Sequence, residues 1–240
     1  MAALAAETRA LGRATVSGEG PASLADGTLL VVSGMGQAAA GHGARRLVDA
    51  GARALISWGM AGGLDPALAA GTLLLPREIA SPEGALFVTA GDWRQHLRSV
   101  LAASHPVCCG KLLTCHAALG SAADKAIAFR QTAAVAVDME SLAVAEVAAT
   151  RRLPFLAVRA IVDTAADEVP RALVAAAATA ANRVPLGRLI GALARTPEDI
   201  LPVLRLARRF RAASRALAAA AASGALVPPV VHAPSGNDRP

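Results

Sequence analysis

The sequence predicts an α/β domain whose sheet is covered on both faces. Short apolar runs alternate with helix-compatible stretches from residue 28 to residue 163, the pattern of strands joined by helices. The runs are continuous rather than alternating with polar residues, as expected for strands buried on both sides. Several runs end in Gly or Asp, the punctuation of a strand giving way to a turn.

Taken in order, "TLLVVSG" (28–34) reads as the first strand and "QAAAGHGARRLVDAG" (37–51) as a helix whose Gly51 suits a C-cap. "ALISWG" (54–59) and "TLLLP" (72–76) read as strands, 92–103 and 121–131 as helices. "AVAV" (134–137) is a strand, "ESLAVAEVAATRR" (140–152) a helix, and "FLAVRAIVD" (155–163) the longest strand. From about residue 170 the chain turns Ala-rich and helical. Over 200–217, Ile200, Leu204, Ala207, Phe210 and Leu217 fall near one face and Arg205, Arg208, Arg209 and Arg215 on another, an amphipathic basic helix. Its arginines read either as a solvated face or as a contact with an anionic membrane surface. We expect one α/β domain over 1–196, the basic helix over 197–226, and a disordered Pro-rich tail over 227–240.

Composition narrows the class. The 240 residues are 54% hydrophobic, with four Phe, two Trp and no Tyr, so the core must be built from small aliphatics. The net charge is +6, yet no basic stretch is interleaved with aromatics, so no nucleic-acid partner is expected. The three cysteines, Cys108, Cys109 and Cys115, form neither a disulfide framework nor a metal-ligand spacing. No metal is expected, and a reduced, cytoplasmic protein is. The start lacks the pattern of a secretory leader, and no apolar run reaches the roughly 18 residues of a membrane span.

Candidate chemistry collects at strand ends, where α/β sheets bind ligands. "SGMGQ" (33–37) is a Gly turn before a helix, able to present backbone N–H groups to an anion. "SWGMAGG" (57–63) brings Gly59, Gly62 and Gly63 together, allowing close approach of backbone to a ligand. "AVDMES" (136–141) puts Asp138 and Glu140 where a strand meets a helix; a Glu there suits the helix dipole and can also grip a vicinal diol. Asp163 closes the longest apolar strand. Desolvation there would raise its pKa and suit it to a general acid, whereas a turn or N-cap is its plain structural role.

The order "GMGQAAA", "GMAGGLDPALAAGTLLLP", "AVDMESLAVAEVA", "PFLAVRAIVDTAAD" resembles the purine nucleoside and uridine phosphorylase superfamily, which includes the methylthioadenosine/S-adenosylhomocysteine nucleosidases. The resemblance covers roughly 3–170, and its wording is most similar to the hopanoid-associated phosphorylases. It implies a three-layer sandwich with a central mixed β-sheet flanked by helices. It also implies an enzyme that cleaves the N-glycosidic bond of an adenine nucleoside, adenosylhopane first, with a soluble nucleosidase or futalosine hydrolase as the alternative and a non-catalytic nucleoside- or lipid-binding member as the other class. By the same resemblance Met139 packs on the ribose and Glu140 binds its hydroxyls. Asp163 donates to the leaving purine, and Glu7 activates water. Ala117 and Ala118, in "TCHAALG", lie at the base. Gly34, Gly36, Gly59 and Met60 form the nucleophile pocket.

The sequence departs from the family in two places. Met60 stands where phosphorylases carry a hydroxyl on phosphate, and Ser57 and Trp58 offer no cation. A phosphate would then rest on the backbone of Gly34 and Gly36 with Arg45 or Arg46 near, while Glu7 suits water. Phosphorolysis and hydrolysis stay open, with inorganic phosphate the one co-substrate in question and no other cofactor expected. The chain also begins "MAALAAE", with almost no strand before Glu7. Either the natural start lies upstream, which we favour, or the sheet lacks a strand. Family analogy adds a homo-oligomer. The expected location is the cytoplasm, and a lipid-tailed substrate with the basic helix would put the protein at the inner face of the membrane.

Overall fold

The computed structural model describes residues 1–2, 5–8, 11, 20–24, 26–169 and 200–229. The Ala-rich stretch expected over 170–196 and the tail from 230 onward lie outside the described residues. The chain runs α1 (Ala5–Thr8), β1 (Ala22–Ser23), β2 (Leu29–Leu30), α2 (Gln37–Asp49), β3 (Leu55–Gly63), β4 (Leu73–Leu74), β5 (Glu78–Ala80) and β6 (Leu86–Val88). It continues with α3 (Gly91–Leu101), β7 (Val107–Cys108), β8 (Lys111–Thr114), α4 (Ala122–Thr132), β9 (Ala134–Asp138), α5 (Ser141–Arg151), β10 (Phe155–Asp163) and α6 (Ile200–Ala222).

Eight strands form one sheet in the order β6-β5-β8-β9-β3-β10-β4-β7. It is mixed: β10 runs parallel to β3 and antiparallel to β4, and β9 runs antiparallel to β3 and parallel to β8. Beside it β1 and β2 make an antiparallel pair. The central strands β3 and β10 are nine residues each and buried on both sides. Successive residues of β10 serve opposite layers. Phe155, Ala157 and Ile161 pack with Ala40, Ala44 and Leu47 of α2 and Val144 and Ala148 of α5. Leu156, Val158 and Ala160 pack with Trp93 and Leu97 of α3 and Ala213, Leu217 and Ala220 of α6. The result is the expected three-layer sandwich.

Several local expectations change. β3 does not stop at Gly59 but continues to Gly63, because its pairing with β10 continues as far as Gly62. The short strands β5, β6, β7 and β8 were not anticipated. Of the run 28–34 only Leu29 and Leu30 form a strand. Among the described residues, Met1 and Ala2 stand in the place of a strand before Glu7. Ala2 bridges Val32 and Trp58 in parallel, with Ala2 N–H on Val31 O and Trp58 N–H on Met1 O. Along α6 the face against the sheet is Ala213, Ala216, Leu217 and Ala220, whereas Ala207 is exposed. Arg205, Arg208, Arg211 and Arg215 are exposed, and Arg209 instead pairs with Asp167.

Candidate active site

A cavity of about 220 Å³ opens at the carboxyl ends of β3 and β10 and the β9–α5 junction. Glu7, Met60, Ala118, Asp138, Met139, Glu140 and Asp163 line it, with Met35, Leu119, Val162 and Val169 completing an apolar wall. It unites residues from seven separate stretches of chain. Of the expected site residues, Gly34, Gly36, Gly59 and Ala117 do not line it, and Ala117 is exposed.

One end of the cavity is organised by a residue the sequence reading passed over. Arg159, in the middle of β10, is 1% exposed. A guanidinium has five N–H donors and cannot be left bare in a core. Here its Nη2 lies 2.6 Å from Asp138 Oδ2 and donates to Ser57 Oγ (2.7 Å) and Ser141 Oγ (3.0 Å); Nη1 reaches Met60 O at 3.5 Å. Glu140 Oε2 is 3.8 Å from the same Nη2. A cation thus does stand beside Ser57, contributed by the neighbouring strand, but it is engaged with Asp138, Ser57 and Ser141 behind the cavity wall. Gly59, Arg159's register partner, has a steric reason: a Cβ there would fall 2.5 Å from Arg159 Nη1 and 2.6 Å from Glu7 Oε1.

Asp138 has a supporting role beyond the ion pair. Its Oδ2 accepts the Ser141 N–H at 3.1 Å, capping the start of α5, and its Oδ1 accepts from Thr114 Oγ1 at 2.6 Å. It fixes the junction from which Met139 and Glu140 project. Glu140 Oε1 accepts the Gly36 N–H at 3.0 Å, closing the β2–α2 turn onto the site. That turn needs its glycines, because Gly34 and Gly36 sit at φ +86 and +89. Glu7 Oε1 in turn accepts the Met60 N–H at 3.0 Å, and its backbone O accepts from Trp58 Nε1. The Gly36 N–H, one of the two expected to cradle a phosphate, is thus already bonded to a carboxylate, and so is the Met60 N–H. Arg45 is exposed and lines a groove between α2 and α5 with Glu146 and Arg151, outside this cavity.

The other end belongs to Asp163. It is 6% exposed and is bonded through Oδ2 to the Lys125 ammonium, which is wholly buried. Lys125 also donates to Thr164 O and Asp167 O, both at 3.0 Å. It reaches this place from α4, whose start is fixed by Ser121: the hydroxyl accepts the Asp124 N–H at 3.0 Å, a helix cap. Burial pushes both carboxyls upward. Glu140 is raised to about 7, burial outweighing the Arg159 cation, with Asp138 adding repulsion. Asp163 is also raised, burial again outweighing the Lys125 cation. An acid with a raised pKa at one end and carboxylates held on a shared cation at the other can protonate one side of a bond and polarise the opposite side. Among the described residues no cluster of three or more His, Cys, Asp or Glu could hold a metal ion.

A family model of the phosphorylase superfamily matches residues 23–191. The chain belongs to that superfamily. No curated protein matches the sequence. Among solved structures, the fold is similar to the 5′-methylthioadenosine/S-adenosylhomocysteine nucleosidase of Neisseria meningitidis in complex with methylthio-immucillin-A. The TM-score is 0.68 at 19% identity, over 92% of this chain and 95% of that one. Futalosine hydrolase of Helicobacter pylori superposes with TM-score 0.67 at 15% identity, over 92% and 94% of the two chains. The nucleosidase of Colwellia psychrerythraea in complex with adenine gives 0.67 at 18% identity, over 94% and 93%. At these identities the superpositions establish the shared fold. Among the described residues no helix is long and apolar enough to cross a membrane.

Proposed function

We propose that this protein hydrolyses the N-glycosidic bond of an adenine nucleoside. The observation that carries the reading is the gathering of Glu7, Met139, Glu140 and Asp163 around one cavity, with the Met60 N–H in its wall bonded to Glu7 and the Gly36 N–H beside it bonded to Glu140. Breaking this bond builds positive charge on the ribose and sends the bonding pair to the base. Asp163 gives its proton to the base as the bond breaks. Glu140 holds the ribose hydroxyls and favours the cationic sugar, with Met139 packed beneath. Water adds to the sugar carbon and passes its proton to Glu7, from which it returns to solvent while Asp163 is reprotonated. Water meets less repulsion than phosphate in a cavity bordered by four carboxyl groups, Glu7, Asp138, Glu140 and Asp163.

The substrate we assign is adenosylhopane, in hopanoid side-chain formation. Its support is the resemblance of "GMAGGLDP" and "VDMES" to the hopanoid-associated phosphorylases, together with the apolar wall of Met35, Met60, Leu119, Val162 and Val169. We extend the proposal to a homo-oligomer and to contact of the exposed α6 arginines with an anionic membrane surface; gel filtration and vesicle sedimentation test these two points. The central experiment is adenine release from adenosylhopane in micelles, with and without phosphate, beside methylthioadenosine, S-adenosylhomocysteine and futalosine. Equal release with and without phosphate is expected. Release only with phosphate makes the protein a phosphorylase. Turnover of a soluble nucleoside at useful rates removes the lipid substrate. Binding without release in every case supports a non-catalytic family member.

A further inference from the structure

Lys125 is the largest feature of the site that this chemistry does not yet use. Among the described residues it is one of two buried cationic side chains, each paired with a carboxylate of the cavity wall, and the second, Arg159, is divided among several partners. An ammonium has three N–H donors. All three of Lys125's have acceptors: Asp163 Oδ2, Thr164 O and Asp167 O. Its hydrogen-bonding capacity is thus fully used, and losing any one partner would leave a buried donor bare. The charged groups around Asp163 are Lys125 from α4, Asp167 from the loop after β10, and Arg209 from α6; Glu7, Asp138 and Glu140 line the same cavity. Arg209 is matched by Asp167. Lys125 is therefore the cation in direct contact with Asp163.

We propose that Lys125 is the positioning residue of the proton-donating carboxyl, pinning Asp163 through Oδ2 so that the proton rides on Oδ1 facing the departing base, and holding a fixed positive charge beside the carboxylate left when that proton has gone. The inference rests on the nucleoside-cleaving reading. Thr164 O and Asp167 O complete the clamp, so Lys125 also ties the 164–167 turn to the acid it follows. The proton still travels from Asp163 to the base; Lys125 keeps its own.

The test compares Lys125→Met, Lys125→Gln and Asp163→Asn, singly and combined. With Lys125 uncharged, the alkaline fall in turnover that reports loss of the Asp163 proton moves up by about one pH unit or more. Turnover at neutral pH drops roughly tenfold through lost orientation. In the Asp163→Asn background the Lys125 substitutions change turnover by less than about twofold, because coupled residues are not additive. A merely structural Lys125 lowers both backgrounds alike and leaves the pH limb in place, which overturns the proposal. Carbon NMR of the Asp163 carboxyl, identified by its loss in Asp163→Asn, reads the same shift without turnover. An unchanged Asp163 titration in the Lys125 variants overturns the proposal even if no substrate is found, whereas unchanged turnover in Asp163→Asn overturns the mechanism instead. Should neither variant fold, nitrogen NMR of the native Lys125 ammonium decides: its resonance must follow the Asp163 titration, and a resonance blind to it ends the proposal.

Discussion

Two buried cations organise the two ends of the cavity, and they are shared differently. Lys125 serves one carboxylate, Asp163, and spends its other donors on backbone carbonyls. Arg159 serves Asp138 closely, Glu140 at 3.8 Å, and two hydroxyls besides. The undivided cation fixes its partner in one geometry. The divided one anchors Asp138 but does not offset the burial of Glu140, which, with Asp138 adding repulsion, raises the Glu140 pKa to about 7. One end of the site is built for position and the other for adjustable charge.

The sharpest way to break this contrast is Arg159→Met. It leaves Asp138 and Glu140 buried without a cation and should cost about 3–5 kcal/mol of stability, read by denaturant unfolding. A loss below about 1 kcal/mol would mean the hub is not a hub. Next comes Asp163→Asn, which should lower adenine release by a factor on the order of a hundred or more. Stability should fall as well, because the amide still accepts from Lys125 but leaves its buried charge without a counter-ion.

Glu140→Gln sharpens the other side of the contrast. A carboxyl whose pKa is raised in the folded state binds its proton more tightly folded than unfolded, so ionising it costs stability. In the wild type that cost accrues as pH rises from about 4.5 to about 7. The drop in unfolding free energy between pH 5 and pH 8 should be larger in the wild type than in Glu140→Gln by on the order of 2 kcal/mol. Equal pH dependence in the two would show that Arg159 compensates Glu140 fully. Smallest is Arg209→Ala, which removes a half-exposed pair with Asp167. Its thermal midpoint should reflect a loss of less than about 1 kcal/mol, shrinking further in high salt.

The parts of the site that the sequence made legible are those on long elements. β10 spans the very residues read as a strand, and α5 begins one residue after Glu140, because a nine-residue apolar run and an Ala/Val helix need little outside help. β5 to β8 were not legible. Each is two to four residues long and takes its conformation from its neighbours in the sheet. β3 was read as ending at Gly59 because three glycines in five residues look like a loop. Two of those glycines are there for room, at Arg159 and Glu7 on one side and at Asp163 on the other. The two cations were missed for a related reason. A lysine in a helix reads as solvent-facing, and only the 3–4 spacing of Ala122, Lys125, Ala126 and Phe129 hints that Lys125 points inward. Arg159 carried a plainer signal, a charge in the middle of an otherwise apolar strand. A buried charge there needs partners, and those partners proved to be Asp138, Ser57 and Ser141.

The pairing of β3 with β10 has a consequence in time. Phe155 lies opposite Leu55 and Arg159 opposite Gly59, so the central contact of the sheet joins positions about a hundred residues apart in the chain. Contacts of such sequence separation form late and slowly, because the loop must close before they reward it. During synthesis, everything through α5 can emerge while the gap between β3 and β4 stands without β10. Met139 and Glu140 are then already made, yet neither the guanidinium that braces them nor the acid opposite exists beside them. The candidate site therefore gains Arg159 and Asp163 together, when β10 docks between β3 and β4.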